Sequence, residues 1–405
     1  MQKQILDTIS PPELGQKLQR ARKREGITQA SAAELIGVAR TTITAIEKGE
    51  RRIKSAELLA LSNAYGQPVG NFLGNRPMIE PPAVLFRSNW SKSVNPEASQ
   101  HIQESIDQLM ELATNYYELE QLTDRLRNPY YPRPYRHSDV SGTEQAAESL
   151  AISERNRLGL GDRPIQRLRA LLEESTGLRI FYLPFHGSSN ISEIYFFDQT
   201  LGGCIAINQH HKKSPGRCRW SLAHAYAHFL AHRHDPIASV HTNNKSRKPE
   251  IEHFADRFAQ YFLMPASSLT QRFNEIYQAK EKVTPADLVE MANDYGVSFE
   301  ALVRRLEGMK LVPKGIYDRL NKRDFKPEKA REKLGLSNSP ESRKMLPDRY
   351  VELTMQAYDE EKITEFQLAD FLQVDRIDAR DQYISWVEKA EQTGRNLDVM
   401  QLKVA

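Results

Sequence analysis

Over residues 11–73 apolar side chains recur at helical spacing in short runs, most of them closed by a glycine. Pro11-Pro12 opens a run over Glu13–Glu25 carrying Leu14, Leu18 and Ala21, and Gly26 ends it. Thr28 is a good N-cap for a second helix through Ile36, with Gly37 as its stop. A third is predicted over Arg40–Lys48, ended by Gly49. Ser55 is the expected cap of a fourth over Ala56–Ala64 before Gly66, and Pro68–Leu73 reads as a short fifth. Helices this closely spaced predict a small domain over residues 1–74.

A Pro-rich stretch, Asn75–Pro82, leads into a long polar helix over Glu97–Arg127. Asn128–Pro134 (NPYYPRP) excludes helix and reads as a linker or a wrapping arm, so residues 75–142 form linker and long helix. From Thr143 the pattern turns α+β. Helices are predicted over Glu144–Leu158 and Pro164–Thr176, strands over Arg179–Leu183, Ile194–Phe197 and Cys204–Asn208, and strong helices over Arg219–Ala231 and Pro249–Leu263. Further helices run through Leu306. This body spans 143–312, with a connecting segment over 313–345 and a separate helical module over 346–405. In that module Thr364 can cap Glu365–Leu372, Gln373 stands where a turn glycine is usual, and Asp375 begins another helix. The module is similar to a second helix-turn-helix, with packing or oligomerisation favoured over DNA contact. The fold class predicted is mainly α with an α+β core.

The 405 residues include 56 Lys+Arg, 53 Asp+Glu, 40% hydrophobic residues and 2 cysteines. That composition excludes a disordered or disulfide-stapled chain. No apolar run approaches the roughly 20 residues of a membrane span. A soluble, cytoplasmic protein with no membrane partner is therefore expected. Net charge is only +3, but residues 1–75 hold 11 Lys+Arg and 7 Asp+Glu, which is 11 − 7 = +4. The basic excess draws attention to the N-terminal helices as a nucleic-acid reader.

Those helices suit the task. Helix two, the turn Gly37-Val38-Ala39 and helix three have helix-turn-helix proportions, with Ala33, Ile43, Ile46, Leu58 and Leu61 as core. Arg40, Thr41 and Thr44 face outward near the start of helix three, where base edges would lie. Gln29, Lys48, Arg51, Arg52 and Lys54 could hold phosphates. Periodicity alone also fits a small bundle with a solvated basic rim. The wording GITQASAAELIGVARTTITAIEKGERR, however, closely resembles XRE/Cro-type repressor domains. The resemblance implies a double-stranded DNA operator and, from paired half-sites, a homodimer.

The second candidate site is Arg219–Arg233, RWSLAHAYAHFLAHR. His224 and His228, four apart, project from one helix face and can share a metal; His232 extends the row. The pair alone also fits a histidine-rich surface helix. Glu252 opens the next helix, EHFADRFAQYFLMP, where Ala255 and Ala259 permit close approach. Two His and one Glu would make a zinc site with an open fourth position, and Asp256 could accept the outer N–H of a ligating histidine.

Across about 144–307 the chain resembles the ImmA/IrrE zinc metallopeptidases, through LGLGDRPI, LRIFYLP, LGGCIAIN, RWSLAHAYAHFLAH, EHFADRFA…LMP and YGVSFEALVRRL. The resemblance implies Zn2+ held by His224, His228 and Glu252, with a repressor or other regulatory protein as peptide substrate in a stress, phage or antiphage response. One position departs from the His-Glu-x-x-His pattern. The Glu that takes a proton from the attacking water and passes it to the leaving amine is here Ala225. The chain then reads either as a peptidase silenced by a Glu→Ala change or as a pseudo-protease transcription factor whose zincin fold senses a ligand or partner. A toxin–antitoxin-type interaction module is a further reading. Gly203, Cys204, Ile205 and Ala206 lie shortly before the zinc helix, either on an edge strand that pairs with substrate or on an ordinary core strand.

Overall fold

A computed structural model of the chain describes residues 10–66, 69, 72, 96–127, 131–135, 142–185, 191–209, 215–234, 237–240, 250–336 and 344–392. The chain divides into two compact units, Met1–Glu80 and Pro81–Ala405.

The first unit contains α1 (Pro11–Arg24), α2 (Gln29–Leu35), α3 (Arg40–Glu47) and α4 (Ser55–Ala64). The Thr28 hydroxyl caps α2 by accepting from Ser31 N at 3.1 Å. Leu18, Ala33, Ile43, Ile46, Leu58 and Leu61 close the core. Gly15 lets α1 and α3 touch: a Cβ there would lie 2.2 Å from the Ile46 carbonyl oxygen. Ser55 is inside α4 rather than capping it. The preceding residue is Lys54, whose backbone N–H donates to the Glu57 carboxylate at 3.0 Å. Of the expected fifth helix only Val69 and Phe72 are described; the rest of Pro68–Leu73, like Asn75–Pro82, lies outside the described residues.

The second unit begins with α5 (Pro96–Leu122), α6 (Thr143–Arg157) and α7 (Leu168–Thr176). Strands β1 (Arg179–Leu183), β2 (Ile191–Asp198), β3 (Gly202–Asn208) and β4 (Ile237–Val240) form one sheet in the order β1-β3-β2-β4. β1 runs parallel to β3; β2 is antiparallel to both β3 and β4. The strand β4 was not foreseen, and β2 starts earlier than its expected Ile194. Two helices complete the centre, α8 (Pro215–Ala231) and α9 (Glu250–Leu263), and α9 packs on both α8 and α6.

The second predicted helix of the body starts at Leu168, not Pro164, because arginine side chains take the carbonyls that precede it. Arg155 donates to Gly161 O and Arg163 O at 2.9 and 2.5 Å. Arg219 donates to Ile165 O and, at 3.1 Å, to Gln166 O. Carbonyls so occupied have no need of helical N–H partners.

Next come α10 (Ala266–Lys280), α11 (Pro285–Asp294) and α12 (Phe299–Gly308). Residues 313–336, expected as a connection, fold into α13 (Ile316–Lys322) and α14 (Pro327–Lys333), which pack on α12 and α11 respectively. The last three helices are α15 (Asp348–Asp359), α16 (Glu365–Leu372) and α17 (Arg376–Gln392). They are not free-standing. The Tyr350 ring meets Tyr116 of α5 at 5.3 Å and Phe181 of β1 at 6.2 Å. Met345 O accepts the Tyr182 N–H at 3.2 Å. Thr364 caps α16 as expected, and Gln373 adopts the left-handed φ of 56° that a turn glycine would otherwise supply.

Of NPYYPRP, residues 131–134 are described, and with Tyr135 they form a strap. Tyr131 packs edge-on to Phe229 and Phe197 while its hydroxyl accepts Gly203 N–H at 3.2 Å. Tyr135 N donates to Leu230 O at 2.7 Å, and Arg233 donates to Pro132 O at 2.6 Å. Among the described residues no helix is long and apolar enough to cross a membrane.

Candidate metal centre and nucleic-acid face

α8 lies between the sheet and α9. One side meets β2 through Phe229 and Tyr195, whose ring centroids are 6.4 Å apart; another meets α9 through Tyr226, Phe258 and Phe262. His224 and His228 are thereby buried, at 4% and 1% exposure. The Nε2 atoms of the two rings converge to 3.0 Å. Glu252 reaches across from α9, its oxygens 3.3 Å from His224 Nε2 and 3.4 Å from His228 Nε2. One ligand atom from each of the three residues lies within 4.8 Å of the others.

The outer nitrogens are held as well. His224 Nδ1–H donates to Asp256 at 3.1 Å, which leaves Nε2 for the centre. His228 Nδ1 lies 3.3 Å from His232 Nδ1, so the third histidine of the row serves the second. Two imidazoles and a carboxylate converging on one buried point are a donor set suited to zinc.

The ion-free electrostatics separate the histidines. Burial pulls His224 down, but hydrogen bonds to Asp256 and Glu252 and the charges of Glu193 and Glu252 outweigh it, raising its pKa to about 10. For His228 burial prevails over the Glu252 hydrogen bond, aided by the charges of His224 and His232, and its pKa falls to about 4. Burial pushes Glu252 up, yet its bonds to both histidines win and hold it well below the usual carboxylate range.

Glu193, which the sequence reading passed over, completes the neighbourhood. It is 3% exposed, on β2, with Oε1 3.7 Å from His224 Nε2. A charged residue inside ISEIYFF was the available signal, but the predicted strand began one residue beyond it.

Ala225 is fully buried in the apolar core. Neither neighbouring candidate base replaces a carboxylate there. The Tyr226 hydroxyl donates to Glu154 and accepts from Arg157 at 3.2 Å, and burial holds its pKa far above 10. His232 is engaged with His228. The edge-strand expectation for Gly203, Cys204, Ile205 and Ala206 is corrected: β3 is interior, with β1 on one side and β2 on the other, so its backbone is already paired. Among the described strands the outer ones are β1 and β4.

In the first unit the sequence-selected residues divide. Arg40, Thr41, Lys48 and Arg52 are exposed; Gln29, Thr44 and Arg51 are half-buried. Gln29 donates to Glu47 at 2.8 Å and accepts from the Thr44 hydroxyl at 3.3 Å. Glu47, an unforeseen hub, also takes two bonds from Arg22 at 2.6 and 3.1 Å. Arg51 is clamped to Glu57 at 3.0 and 2.8 Å.

Two families match the chain: one described as helix-turn-helix over residues 18–70, the other as IrrE N-terminal-like domain over 173–307. The chain thus fuses an N-terminal DNA-binding helix-turn-helix domain to a C-terminal ImmA/IrrE-like peptidase domain, a zincin-like domain with a candidate metal-binding cluster. No curated protein matches it. ComR from Streptococcus suis aligns over 96% of this chain and 92% of its own at 10% identity, with a TM-score of 0.16 too low to carry an argument.

Proposed function

We propose that this chain is a transcriptional regulator whose helix-turn-helix domain binds an operator, as a homodimer. Its peptidase-like domain holds zinc and engages a regulatory protein without cutting it. The observation that carries this reading is the pairing of a complete His224–His228–Glu252 ligand set with Ala225. When bound, zinc would supply a Lewis-acid centre that ties α8 to α9 through its ligands. Asp256 fixes the His224 ring, His232 sits on His228, and both imidazoles offer Nε2 inward. No side chain at 225 can move a proton between an attacking water and a leaving amine, a loss of about 10²–10⁴-fold. Exposed Arg40 and Thr41 would read base edges, and Lys48 and Arg52 would hold phosphates.

The second reading, a peptidase silenced by Glu→Ala, is favoured by how completely the ligands are supported. The two separate in one experiment. The chain and its Ala225→Glu variant, both zinc-loaded, are incubated with the proteins encoded beside its gene, and fragments are read by intact mass. A stable complex and no cuts from either is the expected result. Cuts made only by the variant would establish the silenced peptidase.

A further inference from the structure

Glu193 stands on β2 where the strand's register against β4 slips. Ile191 pairs with Val240 but Glu193 pairs with Ser239, so a bulge falls between them. Bulges re-aim side chains and cluster beside functional sites. Glu193 shares its sheet face with Tyr195, two residues on, which packs on Phe229 of α8. That face looks onto the histidine helix, and the Glu193 carboxylate ends 3.7 Å from His224 Nε2.

Ligand atoms on a tetrahedral zinc, each about 2.0–2.1 Å from it, are separated by about 3.3 Å. The two Nε2 atoms are 3.0 Å apart, Glu252 brings one carboxylate oxygen to 3.3 Å of His224 and the other to 3.4 Å of His228, and Glu193 Oε1 stands 3.7 Å from the His224 corner. Charge points the same way. A divalent cation with two neutral imidazoles and Glu252 keeps one positive charge at a buried place, and Glu193 lies nearer that charge than Asp256, which stands behind the His224 ring. With no base at 225, the chain also has no use for a vacant position on the metal.

We infer that Glu193 is the fourth protein ligand, closing the site so that the zinc organises the domain instead of turning over peptide bonds. The inference rests on the zinc reading of His224, His228 and Glu252. It assigns a ligand role to a strand residue outside the helix motifs.

The test uses the full chain. Zinc affinity is measured by competition with a chromophoric chelator for the unaltered protein and for Glu193→Gln. Cobalt-loaded forms of each are then titrated with azide and followed by their visible spectra. We expect Glu193→Gln to lose more than about 100-fold in affinity, beyond the 10–100-fold typical of residues that only support a ligand. We also expect the cobalt spectrum of the unaltered protein to ignore azide, and that of the variant to respond. A loss of about 100-fold or less, or an azide response from the unaltered protein, overturns the inference while leaving the three-residue zinc site standing. An unaltered chain that takes up no zinc overturns both. X-ray absorption at the zinc edge of the unaltered protein needs no variant to fold: a spectrum that excess azide leaves unchanged supports the inference, and one that azide alters overturns it.

Discussion

Nδ1 of His224 donates to Asp256 across 3.1 Å, and that bond turns Nε2 toward His228 and Glu252. Asp256 thus selects the tautomer able to ligate while staying off the centre itself. Asp256→Ala should lower zinc affinity by about 10–100-fold with secondary structure retained. Chelator competition alongside far-UV circular dichroism decides it; unchanged affinity would show that the ring orients without the carboxylate.

Glu47 binds Arg22, Gln29 and Gln19 inside the first unit. Removing it strands a buried guanidinium, so Glu47→Ala should cost about 3–5 kcal/mol. The check is the denaturant midpoint of the helix-turn-helix domain, followed within the full chain.

The same carboxylate has a pH signature. Burial raises its pKa, but the bonds from Arg22, Gln29 and Gln19 prevail and set it below the ordinary 4.5. A depressed folded-state value means its stabilisation is fully present above pH 4.5 and is lost as pH falls through the lower folded value. Thermal melts on descending pH should show an acid weakening that Glu47→Gln largely removes. A variant retaining the full slope would assign it elsewhere.

Arg40 and Lys48 should differ in kind. Arg40→Ala is expected to cost about 1–3 kcal/mol on a selected duplex and to relax preference at one base pair. Lys48→Ala should weaken all duplexes alike and flatten the salt dependence by about one ion. Fluorescence anisotropy at several salt concentrations, on duplexes enriched by the protein itself, separates the two. Equal losses on selected and random DNA for Arg40→Ala would remove it from base reading.

Tyr131 ties the strap to α8 and β3 through two ring contacts and the Gly203 N–H. Its truncation to Ala should destabilise the second unit by about 3 kcal/mol. Chemical denaturation monitored by near-UV circular dichroism would reveal it, and a change under 0.5 kcal/mol would mean the strap holds by its backbone alone.

The first unit was legible because its helices announce themselves locally: Thr28 caps, Gly26 and Gly37 stop, and Ile43 and Ile46 face inward. The metal triad was legible because i, i+4 spacing and a family pattern coincide on His224 and His228. What escaped depends on distant partners. Glu193 acquires its meaning from a register slip against β4, a four-residue strand with no pattern of its own. Helix α7 begins late because Arg155 and Arg219, far off in sequence or fixed by packing, claim the carbonyls ahead of it. The interior place of β3 follows from strand order, which alternation along a single strand does not encode. Gln373 shows the opposite case, a residue of unfavourable type held in a glycine conformation by the turn around it.

The hydrogen bond from Tyr182 to Met345 also bears on how this protein can assemble. It plugs one rim of the sheet with the protein's own tail, and Arg169 takes the Ile180 carbonyl on the same strand. At this rim, then, the chain's own backbone and an arginine occupy the groups that an added strand would need.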